Sequence, residues 1–177
     1  GLTDACSVSW FPDGNSLAVI GSEDSRLHSY YQGSIFILRS DSNPLKVTDD
    51  NVAPIGGSHP AKNGPPLHID ENGVILFSAQ SGAESHIYEA KAGESGQKKI
   101  VQLGGQITTC VFDNSGKQFV CIYSTPEMPP EVFHGALGTD SLRMVSALNT
   151  EYFTDRMLGT TERFSLNRCG LDIESVL

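Results

Sequence analysis

The sequence predicts an all-β chain, a partial β-propeller of about three four-stranded antiparallel blades. Three observations predict it. A hairpin made of an apolar strand, a polar turn ending in glycine and a second apolar strand occurs three times. Each hairpin is followed by a third apolar run and a shorter fourth one. The turn glycines are separated by 59 positions (Gly14 to Gly73) and 43 positions (Gly73 to Gly116), against about 40–50 residues for one blade.

The first hairpin reads Val8-Ser9-Trp10-Phe11-Pro12-Asp13-Gly14, then Asn15-Ser16-Leu17-Ala18-Val19-Ile20. The second reads Leu67-His68-Ile69-Asp70-Glu71-Asn72-Gly73, then Val74-Ile75-Leu76-Phe77-Ser78. The third reads Thr109-Cys110-Val111-Phe112-Asp113-Asn114-Ser115-Gly116, then Lys117-Gln118-Phe119-Val120-Cys121-Ile122-Tyr123. An Asp or Asn near the turn bonds to local backbone amides, and Gly takes the positive φ that other residues resist. Third strands are expected at 34–38, 86–90 and 131–135, and fourth strands at 44–48, 99–103 and 143–146. The blades then span 1–66, 67–105 and 106–148, with 149–177 as a linker. The extra length of the first interval falls in two loops, 22–33 and 49–66, expected on the rim of the disc. No segment keeps a helical period; the nearest candidate, 142–153, has irregular apolar spacing.

Composition excludes several function classes. The formal net charge is −9, so the surface repels phosphate backbones and nucleic acid is not an expected partner. No apolar run approaches the roughly 20 residues of a membrane span. The start, Gly1-Leu2-Thr3-Asp4-Ala5, has neither the basic region nor the apolar block of a signal peptide, and no initiator Met. It reads as an excised, processed or engineered piece. Cys6, Cys110, Cys121 and Cys169 form no C-x-x-C pair and have no His at zinc spacing. They are expected to be free, mostly buried thiols in a reducing cytoplasm. Cys110 and Cys121 flank one hairpin turn, and a bridge between them requires a register that puts both on one face.

Catalytic signatures are missing. A nucleophile elbow requires G-x-S-x-G. The nearest approach, Gly56-Gly57-Ser58-His59-Pro60, ends in Pro within a Pro/Gly-rich loop and reads as ordinary loop. His28, His59, His68, His86 and His134 are scattered and read as surface or packing residues. No metal, cofactor or catalytic residue is assigned. Asp70-Glu71 and Glu23-Asp24 read as solvated turn carboxylates. The aromatic loop holding Tyr30 and Tyr31 has two readings, blade-edge packing or a contact for a partner or substrate, because exposed Tyr pairs suit binding surfaces.

Three stretches carry a family resemblance. Ser9-Trp10-Phe11-Pro12-Asp13-Gly14-Asn15-Ser16-Leu17-Ala18 resembles the W-S-P-D-G-x-x-L-A motif of TolB-like and prolyl oligopeptidase-type propellers. Tyr123-Ser124-Thr125-Pro126-Glu127-Met128-Pro129-Pro130-Glu131-Val132-Phe133, with Ser146-Ala147-Leu148-Asn149 after it, resembles the last blade of acylaminoacyl-peptidase-like enzymes. The run from Thr161-Glu162-Arg163-Phe164 to Asn167-Arg168-Cys169-Gly170-Leu171-Asp172-Ile173 resembles the passage into their hydrolase domain. The sequence departs from the pattern at Cys169, where Asp precedes Gly170, and at Ser175-Val176, where Gly-Trp is common. The resemblance covers nearly the whole chain. It points to the acylaminoacyl-peptidase and dipeptidyl-peptidase-like branch of the prolyl oligopeptidase family of serine peptidases, without the hydrolase domain and its Ser, Asp and His.

The resemblance implies a non-catalytic propeller segment that gates or orients peptide substrates. Its implied partners are further blades, a hydrolase domain and peptides, and Trp10 is expected to pack between blades. An arc of three blades leaves two faces open, so self-association is also expected. The competing reading is a stand-alone protein-interaction propeller similar to TolB or WD-repeat scaffolds.

Overall fold

The computed structural model describes residues 2, 4–23, 33–55, 67–94, 96–139, 141–156 and 158–177. Tyr30, Tyr31, His28, Asp24 and the stretch from Gly56 to Pro60 lie outside the described residues. The first sheet is a meander of β1 (Asp4–Trp10), β2 (Ser16–Ser22), β3 (Ser34–Arg39) and β4 (Leu45–Lys46). The second holds β5 (Ala53–Pro54) and β6 (Leu67–Ile69), both on β7 (Ile75–Ser81), followed by β8 (Glu84–Ala90) and β9 (Gln97–Val101). The third is a meander of β10 (Gln106–Phe112), β11 (Gln118–Thr125), β12 (Met128–Ala136) and β13 (Leu142–Met144). A one-turn helix, α1 (Thr150–Phe153), and a separate hairpin, β14 (Arg163–Arg168) with β15 (Leu171–Val176), complete the chain. These are three successive antiparallel sheets, the blades of a partial propeller.

Turn chemistry builds each hairpin in the same way. The amide of Gly14 donates to the carbonyl of Phe11, that of Gly73 to Asp70 and that of Gly116 to Asp113, at 2.9–3.0 Å. All three glycines have positive φ, between 67° and 75°. A carboxylate oxygen then collects the remaining amides of the turn. Asp13 accepts from Asn15 and Ser16, Asp70 from Asn72 and Val74, and Asp113 from Lys117 and Gln118. The carboxyls of Asp13 and Asp113 are held below the usual carboxylate range by these bonds, first among them the amides of Asn15 and Gln118 respectively.

Side-chain alternation then stacks the sheets in chain order. Ala18, Ile20, Ile35 and Ile37 face Ile75, Phe77, Ala79 and Tyr88 across the first seam. Ile87 and Val101 face Ile107, Cys110, Phe119, Cys121 and Phe133 across the second. The middle sheet is therefore buried on both faces, and β7 is buried at five consecutive positions, Ile75 to Ala79, rather than at alternate ones. Close approach of sheets is built around glycines. A Cβ on Gly116 would lie 2.9 Å from Leu76 Cδ1, so the third hairpin sits directly on the second sheet.

Two expectations are corrected. Part of the expected loop at 49–66 is strand, and of it residues 56–66 lie outside the described residues. Ala53 and Pro54 pair with Gln80 and Ala79, and Leu67 pairs with Phe77. Both β5 and β6 thus lie along β7, and the Ile55 amide donates to the Ser78 carbonyl. Two residues, one of them a proline that gives no ladder bond, are too short a strand signal. Trp10 does not pack between blades and is 67% exposed. It pairs with Leu17 on the face of the first sheet turned away from the second, where no further sheet covers it.

Cys110 and Cys121 are direct cross-strand partners, so the register needed for a bridge is met, yet both thiols are free. Burial pushes both up, Cys121 to about 12, leaving them protonated and inert. No helix among the described residues is long and apolar enough to cross a membrane.

Candidate functional site

Among the described residues, the carboxylates and histidines singled out from sequence do not converge. Asp70 serves its turn. His68 packs on Phe112 with ring centroids 5.8 Å apart. His134 shares a 2.8 Å hydrogen bond with Gln118. No group of three His, Cys, Asp or Glu among the described residues is placed to hold a metal ion.

The polar side chains that do converge lie where the C-terminal segment meets the blades. At the first point, His86 is buried beside Tyr88, with ring centroids 6.2 Å apart. Its Nδ1 accepts the Leu103 amide at 3.0 Å, so the neutral ring carries its proton on Nε2, 3.5 Å from Glu84 Oε2. Burial, reinforced by Lys99, lowers the His86 pKa against the opposing pull of Glu84. The other oxygen of Glu84 is bonded by Arg163 from β14. Burial raises the phenol of Tyr123 nearby, and Glu84 adds to the rise. On the other strand of the hairpin, Glu174 Oε2 accepts the Ala83 amide at 2.9 Å.

The C-terminal hairpin is amphipathic. Cross-strand pairing puts Leu166 beside Ile173 and Arg168 beside Leu171 on one face, and Arg163 beside Val176 and Ser165 beside Glu174 on the other. The face with Arg163 and Glu174 meets the second blade, while Leu166, Leu171 and Ile173 point to solvent at 45–67% exposure. The turn joining the strands has positive φ at both Cys169 and Gly170. This two-residue geometry is favoured by Asn-Gly and Asp-Gly, so Cys169 occupies a place where Asp fits better.

At the second point, Glu131 of β12 is buried. Its carboxylate accepts the Ser146 hydroxyl, the Leu148 amide at 3.0 Å and the Asn149 amide at 2.7 Å. Those bonds, led by the Ser146 hydroxyl, hold the carboxyl below its usual range against the cost of burial. Asn149 Nδ2 also donates to the Pro130 carbonyl at 2.8 Å. The two sequence phrases of the last blade, Pro130-Glu131 and Ser146-Ala147-Leu148-Asn149, are thus the two sides of one contact. Glu84, His86 and Arg163 carried no sequence signal, because 79 positions separate Glu84 from Arg163. Two serine hydroxyls are tied into these contacts, Ser85 donating to Gln106 and Ser146 to Glu131.

Fold and junction define an arc of β-propeller that runs into a docked β-hairpin. Solved structures have a similar fold. The acylaminoacyl peptidase of Pyrococcus horikoshii is similar over 92% of this chain and 23% of its own, with 18% identity and a TM-score of 0.59. The AtxE2 isopeptidase is similar over 96% of this chain and 24% of its own, with 17% identity and a TM-score of 0.66. The β-propeller domain of the trilobed protease from Pyrococcus furiosus is similar over 83% of this chain and 41% of its own, with 13% identity and a TM-score of 0.51. The chain therefore spans about a quarter of the first two, and the likeness is one of fold. No protein-family model matches the sequence, and no curated protein is similar to it.

Proposed function

We propose that this chain is the propeller portion of a serine peptidase of the prolyl oligopeptidase family, acylaminoacyl-peptidase-like, and that it gates or orients peptides for a hydrolase domain. The observation that carries the reading is the junction. Three blades lead into an amphipathic hairpin whose polar face is docked on the second blade by Arg163 and Glu174, leaving its apolar face for a further layer of protein. A hydrolase domain supplies such a layer. In this role the segment does no bond chemistry; it walls an access chamber that admits short peptides. Its partners are further blades, the hydrolase domain and peptides, and the unbridged Cys110, Cys121 and Cys169 suit a reducing cytoplasm. The test uses the full reading frame. A downstream G-x-S-x-G with later Asp and His, and labelling of the full-length protein by a fluorophosphonate, are expected. A stop codon shortly after residue 177, with no labelling, overturns the proposal.

The open faces favour a second reading, a propeller that binds protein without serving an enzyme. Val8 and Trp10 on the first sheet, and Val111 and Val120 on the third, are 38–67% exposed at the two ends of the arc. Such faces drive association when left uncovered. Sedimentation of the 177-residue chain is expected to show species above its 19.0 kDa monomer. A compact monomer that binds no hydrophobic dye counts against it.

A further inference from the structure

The geometry points to Glu131 as a clamp that fixes the direction in which the chain leaves the third blade, and with it the placing of the segment leading to the C-terminal hairpin. The argument starts from what the exit segment lacks. Val145 is 46% and Leu148 81% exposed. Ala147 and Thr150 are exposed as well. The segment buries no large apolar side chain, so packing does not hold it. Polar bonds do. The Val145 amide donates to the Val132 carbonyl at 2.8 Å, and the Val132 amide donates to Ser146 Oγ at 2.8 Å. The Ser146 hydroxyl then donates to Glu131, beside the amides of Leu148 and Asn149. Beyond Asn149 the described residues are exposed except the half-buried Phe153 and Leu158, until Thr161 bonds Glu127 at 3.4 Å and Arg163 bonds Glu84.

Chemistry makes Glu131 the centre of this arrangement. An ionised carboxylate is acceptor-only and takes several donors at once, and charge-assisted bonds are roughly twice as strong as neutral ones. A glutamine in its place offers one acceptor oxygen and turns an NH2 group toward backbone amides, which are donors themselves. The single negative charge thus converts a strand end, a serine and two backbone amides into one fixed corner. The chain is then held at two posts, Glu131 at the exit and Glu84 with Ala83 at the hairpin. Loss of the first leaves residues 146–160 free to swing on the second.

The experiment is amide hydrogen exchange on the 177-residue chain and on three variants, Glu131→Gln, Ser146→Ala and Ser146→Thr. Exchange at Leu148 and Asn149 is expected to rise at least tenfold in Glu131→Gln and by a smaller factor in Ser146→Ala. Amides of β7 and β8 stay at their original rates, and Ser146→Thr, which keeps the hydroxyl, behaves as the parent chain. Tryptic cleavage after Arg156 is expected to accelerate in the same order. Unchanged exchange at Leu148 and Asn149 in Glu131→Gln overturns the clamp. If Glu131→Gln does not fold, Ser146→Ala decides, and unchanged exchange there overturns it equally. The measurement needs no peptidase activity, so it fails or succeeds separately from the proposed function.

Discussion

Replacement of Phe119 by alanine is expected to cost about 3–5 kcal/mol, the range for truncating a buried aromatic. The structure puts this site in the upper half of that range. Phe119 is 1% exposed at the centre of the second seam. Its ring tilts against Phe112 with centroids 6.2 Å apart, and it lies across Gly135, where an added Cβ would come within 2.3 Å of Phe119 Cζ. Gly135 has no side chain to move into the space left behind, so collapse is limited and the cavity term stays large. Set against a domain stability of about 5–15 kcal/mol, the loss is roughly a quarter or more of the total. Val120, the next residue, points to the open face and is 38% exposed; Val120→Ala is expected to cost about 1 kcal/mol or less. The assay is urea denaturation followed by far-UV circular dichroism, comparing extrapolated stabilities of the two variants. Equal losses refute the reasoning, because they require the two faces of β11 to be buried alike.

Gly135→Ala attacks the same contact from the other side and is expected to cost about 1–3 kcal/mol through overpacking; combined with Phe119→Leu the two losses should add to less than their sum, and strict additivity in the same urea experiment argues against the contact. Cys169→Asn relieves a non-glycine residue held at φ 54° and is expected to stabilise the C-terminal hairpin by about 1 kcal/mol, seen as slower amide exchange within β14 and β15; unchanged or faster exchange contradicts it. His86 has a lowered pKa, so the unfolded chain takes its proton first. Its contribution is complete above the unfolded value near 6.5 and declines as pH falls from there toward the lower folded value. The denaturation midpoint should therefore drop on going from pH 7.5 to 5.5, and His86→Gln should flatten that slope; an equal slope in both proteins removes His86 as its source. The Glu131 contribution lies lower, present above the model-peptide value of 4.5 and lost as pH falls through its depressed folded value.

Local chemistry was legible in the residues themselves. The turns at Gly14, Gly73 and Gly116 are set by a glycine that alone tolerates positive φ and an aspartate within reach of unpaired amides, and both requirements are met inside a few residues. The strands between them follow from apolar runs, and so the three meanders and their order could be read. What lies across a seam could not. Trp10 has the same pattern whether or not a sheet covers it, and only the stacking decides that it faces outward. β7 is buried on both faces from Ile75 to Ala79, so no alternation of burial says which side meets Ile20 and which meets the turn at Gly116. The two-residue β5 exists because β7 offers it a ladder, with a proline that local propensity places outside any strand. Glu84 meets Arg163, and Ala83 meets Glu174, only after three sheets have stacked. Glu131 and Ser146-Ala147-Leu148-Asn149 were visible as two separate phrases; that one carboxylate joins them depends on β13 returning alongside β12. Turn geometry is a short-range property of the chain, whereas burial and charge pairing are properties of what the rest of the molecule brings alongside.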